Sequence, residues 1–286
     1  MEDELSEDLP LREEEQEAVK EAAMLSPRLI FEAIRRNGEE ELQRPVSSTW
    51  NSGVMAGMLI SFSVLGEAVL RAHLPDADWA YIVENFGYSF GFLLVVLGRM
   101  QLFTENTITT VVPVMLSKDW RSYLRTGRLW SVVLLANVVG AFIVAAFYVY
   151  APVLSDEVRT AMMELSHHAT SMPPFEGMMR GIPAGVLIAA LVWMLPVVEH
   201  SEVPVIILFT WLIALGDFTH IVAGSVEMAF LVVQGELGAR GAVLDFFLPV
   251  LAGNVLGGTM VFTMLAWGQI RPEVEEKEND RQRSAR

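Results

Sequence analysis

From Leu129 to Leu154 the chain runs 26 residues without Asp, Glu, Lys or Arg, and from Phe246 to Ile270 it runs 25. Wound as a helix, each is long enough to cross the roughly 30 Å of hydrocarbon in a lipid bilayer. Gly53 to Leu70 and Gly181 to Val198 are 18 residues each, and Glu67 is the one charge between them. A soluble helical core built from such segments would need polar outer faces, and none is visible here. Composition agrees: 52% of residues are apolar and 19% charged, greasier than an ordinary soluble domain.

The net charge of −15 belongs mostly to the first 41 residues, so it describes a tail rather than a binding surface. With no cysteine in the chain, disulfides, zinc knuckles and thiol nucleophiles are excluded. The opening MEDELSEDLPLREEEQEAVK is acidic where a signal peptide starts basic and turns apolar, so no cleaved leader is expected. Residues 1–26 read as an acidic cytoplasmic tail. Residues 27–45 follow as an amphipathic interfacial helix: Ser26-Pro27 marks its start, and Leu29, Ile30, Phe31 and Ile34 lie among Arg28, Arg35 and Arg36. Its apolar face is expected against the membrane surface or the bundle.

Six hydrophobic segments are centred near residues 60, 95–110, 140, 190, 205–230 and 258. Residues 46–271 form the predicted transmembrane domain, and 272–286 a second charged cytoplasmic tail. With the N-terminus inside, fifteen basic residues fall on the cytoplasmic side against Arg71, Arg159, Arg180 and Arg240 outside, with Arg99 left in a crossing. Both termini are therefore expected in the cytoplasm. The second and fifth segments are interrupted: RMQLFTE splits Phe86–Gly98 from Asn106–Ser117, and DFTH follows Val203–Gly216. Broken backbone at membrane depth survives only where it is packed in protein or lines a cavity, so these breaks mark the expected conduit.

The two halves also repeat. Gly53 to Gly57 matches Gly181 to Gly185, Phe103-Thr104-Glu105 matches Phe218-Thr219-His220, and Ala136-Asn137-x-x-Gly140 matches Gly253-Asn254-x-x-Gly257. Because each half holds three crossings, the second must be inverted relative to the first: repeats of about 46–154 and 175–271. The paired glycines read as helix-packing positions. Asn137 and Asn254 have two readings, one bonding the backbone freed by the breaks and one facing a solute.

Together these residues resemble the formate/nitrite transporter family. The pattern consists of Leu102-Phe103-Thr104 in the second segment, Gly216, Phe218 and His220 in the fifth, Asn254, Gly257 and Gly258 in the sixth, and Ala-Leu-Val-Trp ending at Trp193 in the fourth. It covers roughly residues 27 to 270, and FTENT with the acidic tail is similar to a divergent inner-membrane branch of unassigned substrate. The resemblance implies an all-α, aquaporin-like protomer of six transmembrane helices with broken second and fifth helices. It further implies a homopentamer in a bacterial inner membrane, with one pore per subunit for small monovalent anions such as formate or nitrite and a proton as possible co-substrate. Pore or substrate roles then fall to His220, Thr104, Leu102, Phe103, Asn254, Phe218 and Glu105.

The chain departs from the family pattern at several positions. Gly224 and Gly185 stand where Asn is common, no Lys precedes the fourth crossing although His167 and His168 are close, and Glu105 replaces a small residue. An electrostatic network of Arg99, Asp217 and Glu227 is expected around the breaks, Arg99 tying Glu105 or Asp217. Three acids near a conduit oppose an anion, so a different small solute is the first alternative. A membrane scaffold is another, as is an intramembrane metal enzyme using Asp217, His220 and Glu227 on one helix face. The main reading requires no enzyme activity, metal, cofactor or nucleic acid.

Overall fold

The computed structural model describes residues 25–117, 119–198 and 200–272; the tails expected at 1–24 and 273–286 lie outside them. Among the described residues every regular element is helical. Helix α1 spans Pro27–Gln43. The first crossing is α2, Val46–His73, and the second opens with α3, Ala80–Leu97, then breaks and returns as α4, Phe103–Thr109, and α5, Val111–Ser117. The third is α6, Trp120–Tyr150, the fourth α8, Pro174–Val197, and the sixth α11, Gly241–Pro272. The fifth is built from two short apolar helices, α9, Glu202–Leu215, and α10, Ile221–Gln234.

One further helix, α7, spans Asp156–Thr170 between the third and fourth crossings, where the sequence analysis placed no element. Its signals are local: Ser155 accepts from Val158 N–H as the N-cap, Asp156 and Glu157 sit in the first turn and His167 and His168 in the last.

Helices α3 and α9 end in the same way. Gly98 and Gly216 N–H donate to Leu94 and Leu212, Arg99 and Asp217 to Val96 and Ala214, and Met100 and Phe218 to Val95 and Ile213. Arg99 (φ 50°) and Asp217 (φ 53°) take the left-handed position of this Schellman-type stop, which ordinarily favours glycine. Every pair is 118 positions apart, which corrects the repeat register: Phe103 corresponds to Ile221, not Phe218, and Leu102 to His220. The Phe-Thr coincidence had shifted the second match by three residues. The first break is also shorter than expected, 98–102, and Glu105 lies in the first turn of α4 rather than in the loop.

The close approaches are symmetric too. A Cβ on Gly57 would land on the backbone oxygen of Asn137, and one on Gly185 on that of Asn254, so α2 crosses α6 and α8 crosses α11 at backbone contact. Gly185 thus faces a helix backbone and no cavity, which explains the missing side chain there. Large apolar residues such as Phe90, Leu135, Leu208 and Leu265 point outward, the pattern of helices solvated by lipid or by neighbouring subunits.

Helix α1 packs on the bundle. Ile30, Phe31 and Ile34 are buried with Ile108, Val112 and Ile270, and Phe31 stacks on Trp267 at 5.3 Å. On its surface, Arg35 hydrogen-bonds Glu32 and holds that carboxyl down to about 2, with Arg36 adding to the effect. Near its end, Glu41 accepts from Gln101 in the first break. Burial pushes the Glu41 carboxyl above its ordinary range, against the opposing pull of Arg44 and Gln101.

The docked state therefore holds the Glu41 proton more tightly than the undocked one. Docking is strongest below the ordinary carboxylate range and weakens as pH rises through it toward the raised value. Amide exchange at Phe31–Ile34, corrected for intrinsic rates, is expected to slow several-fold between neutral pH and about pH 5. In Glu41→Gln it should be slow throughout, and equal protection at both pH values in the parent would refute the coupling.

Candidate functional site

The site begins with the backbone freed at the two breaks. Asn137 on α6 accepts from Phe103 N–H at 2.9 Å and donates to Gln101 and Gly53 carbonyls, both at 2.8 Å. Asn254 on α11 accepts from Ile221 N–H at 2.8 Å and donates to Thr219 at 2.8 Å and Gly181 at 2.9 Å. Each amide thus spends its oxygen and both N–H groups on one broken helix and the first crossing of its own half. Asn254 is fully buried and lines neither cavity described below, so its placement among solute-facing residues is corrected: it takes the backbone-bracing role.

At the cap position of each returning helix the halves differ. Leu102 leaves α4 without a side-chain cap, whereas His220 Nδ1 accepts from Ala223 N–H at 3.3 Å at the head of α10. An accepting Nδ1 carries no proton, so the neutral ring bears its hydrogen on Nε2, which donates to Thr104 Oγ1 at 2.8 Å. His220 is 2% exposed and Thr104 1%, and the Phe92 ring stands edge-on to the imidazole at 5.0 Å. That hydrogen bond joins the first half to the second across the centre of the protomer.

Two cavities flank the breaks. The one beside α7, about 60 Å³, is lined by His220, Phe218, Asp217, Glu227, Glu67 and Tyr88, among others. A larger one beside α1, about 400 Å³, is lined by Leu102, Arg99, Gln101, Glu105 and Glu41. Their walls are related by the repeat, since Arg99 to Leu102 face one cavity and the equivalent Asp217 to His220 the other. They lie toward opposite ends of the bundle: Glu67 near the end of α2 lines the first, and Val96 at the end of α3, with residues of α1, lines the second. Phe103 lines neither; it is 2% exposed and meets Trp130 edge-on at 5.6 Å.

Inversion also undoes the expected electrostatic network. As equivalents in inverted halves, Arg99 and Asp217 lie toward opposite faces and cannot pair. Asp217 instead binds Arg180 at 2.6 Å and His168 of the unforeseen α7 at 2.9 Å. Among the described residues Arg99 has no ion-pair partner, and Glu105 Oε1 is buried without a hydrogen bond. Gly224 has no room for a larger side chain while Phe246 holds its place, because an added Cβ would stand 2.6 Å from the Phe246 ring. Glu67, a lone charge in its crossing, lines a cavity; its position near the end of α2, one helical turn before Arg71, is the sequence signal for a place near a mouth.

Two inverted halves, each broken and braced alike, define a six-crossing membrane protein of aquaporin-like architecture. Comparison with known proteins places it more closely. The formate/nitrite transporter profile matches residues 28–268. The chain is 39% identical over 281 residues to inner membrane protein YfdC of Escherichia coli, covering 96% of this chain and 91% of that protein. It is 23% identical to the formate channel FocA of Haemophilus influenzae, over 76% of this chain and 84% of that one. Among solved structures it is similar to an FNT family ion channel, with TM-score 0.72, 19% identity and coverage of 84% and 98%. It is likewise similar to a pentameric formate channel with formate bound, with TM-score 0.65, 19% identity and coverage of 78% and 96%. The chain belongs to the formate/nitrite transporter family.

Proposed function

We propose that the protein is a channel or proton-linked transporter for small monovalent anions of the formate or nitrite type, with a pore through each protomer of a homopentamer. The single observation that carries this reading is that the equivalent cap positions line two cavities, His220, bonded to Thr104, facing one and Leu102 the other. A bare anion in a dry constriction is prohibitively costly unless a donor meets it or a proton neutralises it. His220 Nε2–H, the Thr104 hydroxyl and the positive end of α10 supply donors at one point. Leu102 and Phe218 then form the apolar walls on either side, and Asp217 stands at one mouth already neutralised by Arg180.

The names of the formate channels among its relatives support the solute class, and the pentameric relative supports the assembly. The basic-residue asymmetry supports an inner-membrane protein with both tails, 1–26 and 272–286, in the cytoplasm. Asp217 and His220 precede α10 on the break instead of extending its face, which removes the helical alignment on which a metal-enzyme reading would rest.

Stopped-flow uptake into proteoliposomes, with formate, nitrite, acetate and a neutral solute compared across pH, tests the reading. Formate or nitrite flux well above empty vesicles is the expected result. Flux of the neutral solute alone, or none, would overturn it.

A further inference from the structure

The acids around the α7-side cavity divide sharply. Asp217 is held by Arg180 and His168, and Glu84 is held by Arg71 at 3.2 Å. Glu67 and Glu227 have no such partner: among the described residues neither side chain makes a hydrogen bond or an ion pair. Glu67 is nine-tenths buried and faces the cavity, as Glu227 does, and the two lie within electrostatic reach of each other. Glu227 stands two helical turns beyond His220, its Oε2 beside the space over Gly224.

Every neighbouring charge is accounted for. Arg71 lies on α2 itself, Glu84, Tyr81 and Tyr88 on α3, His168 on α7, Arg180 on α8, and Asp217 with His220 on the second break. The two cations among them form their ion pairs with Glu84 and Asp217; Arg71, one turn from Glu67, acts on it only at longer range, and neither cation pairs with Glu67 or Glu227. Two ionised carboxylates here would repel an arriving anion at low dielectric. With both carboxyls protonated they would not, and either could give its proton away.

We propose that Glu67 and Glu227 are a proton-loading pair that converts a weak-acid anion to its neutral acid before it reaches His220. The proposal rests on the transport reading above and specifies its coupling. In the step, the carboxyl O–H bond breaks and its electron pair stays on the glutamate. The proton forms a new O–H bond on the anion, and water at the open mouth reprotonates the glutamate. No electron is transferred, and one proton crosses with each anion, so transport is electroneutral.

Proteoliposomes of the full chain, given labelled formate over a range from about pH 5 to about pH 8, provide the test. The parent is expected to alkalinise the donor side by one proton per formate, with uptake independent of membrane potential. Glu67→Gln with Glu227→Gln, which keep volume and polarity but cannot release a proton, should lower uptake near neutrality about tenfold and flatten the pH profile. Each single variant, with oligomer size checked, covers the case in which the double variant does not assemble.

Potential-driven uptake without proton movement overturns the proposal. So does a pH profile in assembled variants that matches the parent's, including a uniform fall at every pH, which would mark a structural role. Absence of formate and nitrite flux in the parent overturns the transport reading and this one together, whereas normal parental flux with an unaltered profile in the variants overturns this one alone.

Discussion

Leucine in place of Asn254 is expected to abolish the assembled protein, and leucine in place of Asn137 to do the same. The substitution keeps the branching of the side chain, adds bulk and removes three hydrogen bonds, two of them to backbone at the break that has no helical partner: Ile221 N–H and Thr219 C=O in one half, Phe103 N–H and Gln101 C=O in the other. Each buried backbone group left unpaired costs about 1–3 kcal/mol, so two cost roughly 2–6 kcal/mol. Total folding stability is commonly only about 5–15 kcal/mol. Inside a bilayer no water replaces the lost partner. Size-exclusion and thermal melting in detergent measure the outcome, and a variant that melts and elutes like the parent would show that the amides do not hold the breaks.

His220→Ala is expected to lower formate flux at least about tenfold while leaving the oligomer intact. The structural cost is modest, because the lost side-chain cap on Ala223 N–H is worth about 0.5–2 kcal/mol. The functional cost is the Nε2–H donor that meets Thr104 of the other half. His220→Asn separates the two effects, since asparagine is a good N-cap but offers no titratable ring near neutral pH. If alanine impairs flux and asparagine restores it fully, the ring serves only to cap the helix. Unchanged flux in alanine would remove His220 from the transport path altogether.

How far these features could be read from the residues differs from place to place. The second break was legible because DFTH interrupts a long apolar run, and the helix indeed stops at Leu215 and resumes at Ile221. The first was blurred because Phe103-Thr104-Glu105 looks polar enough for a loop, although those residues already begin α4. Register slipped on the same residues, since two Phe-Thr pairs attracted each other more strongly than Gly98 and Gly216, which close the outgoing helices.

The failure of the Arg99 network had a cause visible in the sequence itself. Once the halves were inverted, equivalent positions had to face opposite sides. By contrast, α7 and the partnering of Asp217 by His168 depend on how a connecting segment folds back over the bundle, and no periodicity in the chain encodes that return.

The unlike residues at the two cap positions have a consequence for direction. A dimer of identical halves would offer two leucines or two imidazoles at its centre and behave the same from either side. Here a traveller entering beside α7 meets Phe218 and then the imidazole at the cap position, while one entering beside α1 meets the aliphatic Leu102 at the equivalent position. Detailed balance still forbids any net pumping by this difference alone. Half-saturating concentrations measured from the two faces should nevertheless be unequal, and exchanging Leu102 and His220 should reverse their order.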